Sequence, residues 1–135
     1  MAKVAVVYWT MTGNTQSMAE AIAAAAGTEA VNVADFDTAT VDAYDAFAFG
    51  CPAMGAEELD HDEFEPMWDA VVAGLEGKPV ALFGSYDWGD GEWMRLWEEA
   101  AQSAGVNVVE TCIANLEPDE DALAACAALG AKLAG

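Results

Sequence analysis

Thr10-Met11-Thr12-Gly13-Asn14-Thr15 places three threonine hydroxyls and a carboxamide around one glycine. These groups donate hydrogen bonds without carrying charge. The stretch follows an apolar run, Val4-Ala5-Val6-Val7-Tyr8. It opens a helical pattern with Met18, Ala21, Ile22 and Ala25 on one face. The first turn of a helix has unpaired N–H groups and the positive end of the helix dipole, so this arrangement suits an anion such as a phosphate. Gly13 lets the backbone come close to a ligand. With no Lys or Arg in the stretch, neutral dipoles would hold the anion. An ordinary strand-to-helix turn, capped by Thr or Asn, is the competing reading.

Two further stretches carry unusual chemistry. Pro52-Ala53-Met54-Gly55-Ala56-Glu57 offers a soft thioether beside a glycine, a face suited to an aromatic ligand or simply a gap-filling side chain. Gly84-Ser85-Tyr86-Asp87-Trp88-Gly89-Asp90-Gly91 sets Trp88 among glycines and aspartates. A Trp in such company is a stacking platform or a partner contact rather than a core residue.

The elements that must position these stretches follow from periodicity. Lys3–Tyr8, Ala30–Ala34, Ala46–Gly50 and Val80–Gly84 read as strands. Val106–Val109 and Thr111–Asn115 supply a fifth, broken at Glu110. Helical spacing marks 14–26, then Phe64, Met67, Trp68, Val71 and Leu75, then Trp93, Leu96, Trp97, Ala100 and Ala104. The last helix starts at Pro118, with Leu123, Cys126, Ala127, Gly130 and Leu133 as its apolar stripe. Nearly continuous apolar strands alternating with helices predict an α/β fold, a doubly wound five-stranded parallel sheet with helices on both faces. Residues 1–135 read as a single domain. Ligands of such sheets bind beyond the carboxyl ends of the strands. Loops Trp9–Thr15, Cys51–Asp62 and Ser85–Glu92 all follow strand ends and form one candidate site.

Composition limits the partners. There are 24 acidic and four basic residues, a formal charge of −20. Such a surface repels nucleic acid and anionic membranes and favours basic protein patches. Cys51, Cys112 and Cys126 include no C-x-x-C pair, which argues against a disulfide framework, an iron–sulfur cluster or a zinc site. A reducing cytoplasm is the expected compartment, with no membrane-spanning run. His61 reads as a solvated residue without a partner. The run Glu57, Glu58, Asp60, Asp62, Glu63, Glu65 is either a solvated face or a docking rim. Cys51 has no positive neighbour to stabilise a thiolate.

Taken together, Thr10-x-Thr-Gly-Asn-Thr15, Pro52-Ala-Met-Gly55 and Gly84-Ser-Tyr-x-Trp-Gly-Asp-Gly91, in this order and spacing, make the chain resemble the flavodoxins, in particular the short-chain type of anaerobic bacteria. The resemblance runs nearly end to end. It implies strand order 2-1-3-4-5 and a non-covalent FMN carrying single electrons at low potential, in place of a ferredoxin. It implies an electron-transfer protein rather than an enzyme, with redox protein partners that bear basic docking patches, and a monomer. By the same resemblance, Thr10, Met11, Thr12, Gly13, Asn14 and Thr15 hold the phosphate, with Ser85 near it or near the ribityl chain. Trp88 stacks on one isoalloxazine face and Met54 covers the other, beside Pro52 and Ala53. Gly55 sits at a peptide facing flavin N5, and Glu57 meets N3. Backbone groups around Trp88 and Gly89 reach the pyrimidine end, and Tyr86, Asp87 and Asp90 of the same loop belong to the cofactor site. Two positions depart from the family pattern: Asp87, where short members often have Gly, and Ala56, where a larger polar residue is common.

Two other readings share the topology. An FMN-dependent reductase would need a proton donor or anion clamp in the three loops, which hold no Lys or Arg and only His61. A receiver-type module would need acidic metal ligands after the first strand, where Tyr8, Trp9 and Thr10 stand.

Overall fold

The computed structural model describes residues 2–54, 58–87 and 89–135. Five strands, β1 (Val4–Tyr8), β2 (Ala30–Asn32), β3 (Ala46–Gly50), β4 (Pro79–Tyr86) and β5 (Asn107–Asn115), form one sheet in the order β2-β1-β3-β4-β5. All neighbouring strands are parallel. The helices are α1 (Asn14–Ala26), α2 (Phe64–Val71), α3 (Glu92–Ser103) and α4 (Glu120–Ala134).

Strand residues divide between two cores by alternation, since successive side chains leave a strand on opposite faces. Ala5 and Val7 of β1, Phe47 and Phe49 of β3, and Val80 and Leu82 of β4 pack against α2 and α3. Trp97 stands edge-on to Phe64 at 5.3 Å and to Trp68 at 5.5 Å. On the other face the strands present Val4, Val6, Ala46, Ala48 and Ala81 to α1 and α4. The three alanines there leave room for two helices that also pack on each other. A Cβ on Gly130 of α4 would collide with the Ile22 carbonyl oxygen of α1.

Several boundaries differ from those read in the sequence. β2 stops at Asn32 because the Asn32 side chain accepts from the Ala34 N–H and turns residues Val33–Asp35 into a 3-10 helix. β4 continues to Tyr86, where Ser85 and Tyr86 pair with Ala114 and Asn115. β5 is not broken at Glu110. Val80 pairs with Val108 and Ala81 with Glu110, so Val109 is the extra residue of a bulge in a continuous strand. On α3 the buried face is Trp93, Met94, Trp97 and Ala101, while Leu96 is half exposed and Ala100 exposed. The two tryptophans set the stripe, and Leu96 falls at its edge. The last helix buries Cys126, Leu129, Gly130, Leu133 and Ala134, with Leu123 and Ala127 only partly covered.

Because every strand runs the same way, the chain leaves β1, β3 and β4 at the same edge of the sheet. The connection from β1 goes outward to β2 and then returns to β3 on β1's other side, so the direction of winding changes between β1 and β3. The crevice at such a reversal is where open α/β sheets place their ligands.

Candidate functional site

The loop after β1 ends in Gly13, whose φ of 94° belongs to the left-handed region. The Gly13 N–H donates to Thr10 Oγ1 at 3.0 Å, closing a turn ahead of α1. No side chain caps α1, and its first turn carries no acidic residue. Each of the other α-helices has an acid in its first turn: Glu65 in α2, Glu92 in α3, Glu120 and Asp121 in α4. α2 and α4 are also capped by Asp side chains. In a chain with 24 acidic residues, none precedes Glu20. The N-terminus of α1 therefore keeps its positive potential and its first N–H groups for an outside anion. This is the observation that fits a bound phosphate.

Thr15 is an exception among these hydroxyls, being buried at 1% exposure. Its Oγ1 lies 3.1 Å from Ser85 Oγ and accepts from the Ser85 N–H at 3.3 Å. These bonds tie α1 to the end of β4, while Thr12 and Met11 face outward.

The loop after β3 is held to β4 along its first residues. The Cys51 N–H donates to the Phe83 carbonyl at 3.1 Å, and the Ala53 N–H to the Ser85 carbonyl at 3.0 Å. Gly84 must be glycine here, since a Cβ would strike the Cys51 carbonyl oxygen. That same oxygen accepts from Trp93 Nε1 at 3.1 Å, which fastens α3 to the loop. Pro52 is buried, and Ala53 and Met54 are partly exposed at the sheet edge. Met54 and Glu58 exchange backbone hydrogen bonds of 2.8 and 2.9 Å. Residues 55–57, and with them Gly55, Ala56 and Glu57, lie outside the described residues, as does Trp88.

The third loop begins at half-buried Tyr86, whose ring lies 5.5 Å from that of Trp93. Asn115 Nδ2 donates to the Tyr86 and Asp87 carbonyls at 3.2 and 3.3 Å. Asp87, Gly89 and Asp90 are exposed, and Asp90 pairs with Arg95 at 3.0 Å. The three loops thus converge through Thr15–Ser85, Ala53–Ser85 and Trp93–Cys51 contacts on one edge of the sheet.

Two residues depart from their expected roles. Asp60 does not belong to a solvated charge run. It is 7% exposed, and its Oδ2 accepts from the Glu63 and Phe64 N–H groups at 2.7 and 2.9 Å, capping α2. The pattern Asp60-x-x-Glu63 is a capping signature, hidden in the sequence by its acidic neighbours. His61 is exposed but not unpartnered. Its Nε2 lies 2.8 Å from Glu58 Oε2 and its Nδ1 3.1 Å from Glu65 Oε1. These two carboxylates, Glu58 first, raise its pKa above the ordinary histidine value. Cys51 behaves as expected: burial pushes its thiol up to about 12. Cys112 and Cys126 are buried thiols with sulfurs 3.6 Å apart. Among the described residues no helix is long and apolar enough to cross a membrane.

Comparison with known proteins agrees with this geometry. The family model for flavodoxin matches residues 6–130. The flavodoxin of Clostridium beijerinckii is 44% identical over 135 residues, covering 96% of this chain and 97% of that one. The flavodoxin of Megasphaera elsdenii is 44% identical over 121 residues, 86% of this chain and 88% of the relative. The solution structure of two-electron reduced Megasphaera elsdenii flavodoxin superposes with a TM-score of 0.88, covering 97% of this chain and 98% of that one. The chain belongs to the flavodoxin family, and so to proteins that carry electrons on a flavin rather than to enzymes.

Proposed function

We propose that this protein binds FMN without a covalent bond and shuttles single electrons at low potential between redox enzymes, in place of a ferredoxin. The observation that carries the reading is the uncapped, acid-free N-terminus of α1 at the reversal of the sheet. Thr10, Thr12, Asn14 and the first N–H groups of α1 hold the phosphate. Thr15 and Ser85 act behind them and fix the turn. Met54 covers one face of the ring and Trp88 stacks on the other. Gly55 and Glu57 face the ring nitrogens, and backbone groups around Trp88 and Gly89 meet the pyrimidine end.

When bound, FMN supplies the redox chemistry, and the protein's part is to hold and tune it. Its chief instrument is charge. A net charge of −20, with Glu58, Asp62, Glu65, Asp87 and Asp90 on the loops and helix start around the site, opposes the addition of a second negative charge to the ring. For a one-electron couple about 59 mV is a factor of ten, so a few kcal/mol of repulsion lowers the second potential by roughly 100–200 mV. The same surface favours redox proteins with basic docking patches and disfavours nucleic acid and anionic membranes. A monomer in a reducing cytoplasm completes the reading, in keeping with three free thiols.

A spectroelectrochemical titration of the FMN-loaded protein tests this. Two separated one-electron steps, the second well below the first and below free FMN, are expected. A single two-electron step, or oxidation of NAD(P)H by the protein alone, would refute the carrier role.

A further inference from the structure

His61 stands between the loop after β3 and the first turn of α2, with a carboxylate on each ring nitrogen. A neutral imidazole has one N–H and serves one carboxylate as donor; only the imidazolium donates to both. Its two partners belong to different parts of the fold. Glu65 lies on α2, whose start is anchored by the buried Asp60 cap. Glu58 is the residue whose N–H and carbonyl exchange hydrogen bonds with Met54. Protonated His61 therefore connects an anchored helix to Met54 through a side-chain pair and a backbone bridge.

We propose that His61 is a proton-dependent latch: as an imidazolium it clamps Glu58 to Glu65, which holds the Met54–Glu58 bridge and so positions Met54 over the flavin. The last step rests on the reading that Met54 covers the ring. His61 is a positioning residue, acting through Glu58.

The surroundings support a latch that opens as pH rises above the ordinary histidine range. Around His61 stand Glu58, Asp60 and Asp62 of its own loop and Glu65 and Asp69 of α2. On the facing side α3 contributes Trp93, Leu96, Trp97 and Ala100, which carry no charge. Among the described residues all these charged neighbours are acidic, and they favour the imidazolium. The sign follows from linkage: a histidine whose folded pKa is raised contributes its stability fully below the ordinary value of about 6.5. That contribution is lost as pH rises through the folded value. The latch is closed while His61 is protonated and its two carboxylates are ionised, and it is released as pH rises through the raised His61 value.

The test uses the full chain without FMN first. NMR titration of His61 is expected to give a pKa above 6.5, and Glu58→Gln and Glu65→Gln are each expected to lower it. Protection of the Met54 and Glu58 amides against exchange is expected to fall about two- to fivefold as His61 titrates, the size that exposed ion pairs support. His61→Gln abolishes that pH dependence. FMN affinity is then compared between wild type and His61→Gln at each pH, so that titration of the FMN phosphate itself cancels. The wild-type advantage is expected at pH 6 and absent at pH 9. An ordinary His61 pKa, or amide protection indifferent to it, overturns the latch. A latch seen by NMR with an affinity ratio constant over pH overturns the effect on Met54 and the ring. Failure to take up FMN at all refutes the flavin reading, while the FMN-free titration still decides the latch.

Discussion

Asp60→Ala removes the side chain that starts α2 and closes the loop after β3. Asp60 Oδ2 serves two N–H groups, those of Glu63 at 2.7 Å and Phe64 at 2.9 Å, and the second of these bonds is buried. An ordinary N-cap contributes about 1 kcal/mol. Leaving a buried donor unsatisfied costs about 1–3 kcal/mol. The two quantities overlap, which sets the expected loss at about 2 kcal/mol of the roughly 5–15 kcal/mol that hold a domain of this kind together. At about 3–5 °C per kcal/mol for a chain of this length, the melting temperature should fall by about 6–10 °C. Asp60→Asn keeps an acceptor oxygen but loses the charge at the helix dipole, so its cost should be about 0.5–1 kcal/mol. Urea unfolding of the three proteins, followed by tryptophan fluorescence, gives the comparison. An Asp60→Ala variant within 0.5 kcal/mol of wild type, or no less stable than Asp60→Asn, would refute the buried-cap account.

Gly13→Ala meets open space but must hold a φ of 94°, so it should cost about 1–2 kcal/mol through backbone strain alone; an unchanged unfolding midpoint would contradict this. Cys51, buried and with its thiol pushed up to about 12, should resist iodoacetamide at pH 8 in the folded protein and react promptly in urea. Its raised value also makes folding less favourable as pH rises from about 9 toward 12, because only the unfolded thiol ionises there. Electron transfer to a basic redox partner should slow steeply with added salt in a stopped-flow series; a flat series would assign the acidic surface to solubility alone.

Much of the fold was legible where one signal dominates. α1 at 14–26 and β3 at 46–50 were bounded by glycines and by unbroken periodicity, and both stand where the pattern set them. The sheet order came from resemblance, not from periodicity. What the sequence did not reveal is mostly tertiary. The bulge at Val109 depends on register with β4, and the face of α3 depends on which of its apolar residues the tryptophans leave at the edge. At the site, the three loops were identifiable by composition, but their ties were not. That Thr15 is buried behind the turn, bonded to Ser85 some 70 residues away, has no local signature. Asp60 and His61 did have local signals, a capping pattern and an i,i+4 pair with Glu65, which a run of acidic neighbours obscured. The absence of any acid before Glu20 is also written in the sequence, but the anion site was read from its hydroxyls and Gly13 instead.

Comparing FMN with riboflavin tests the central claim most directly, because the two ligands differ only in the phosphate assigned to the N-terminus of α1. Two or more charge-assisted hydrogen bonds from that turn, at about 1.5–3 kcal/mol each, should make FMN bind at least about a hundredfold more tightly. Titrations followed by flavin fluorescence quenching should show that gap. Equal affinity for the two flavins, or no uptake of either, would contradict the account.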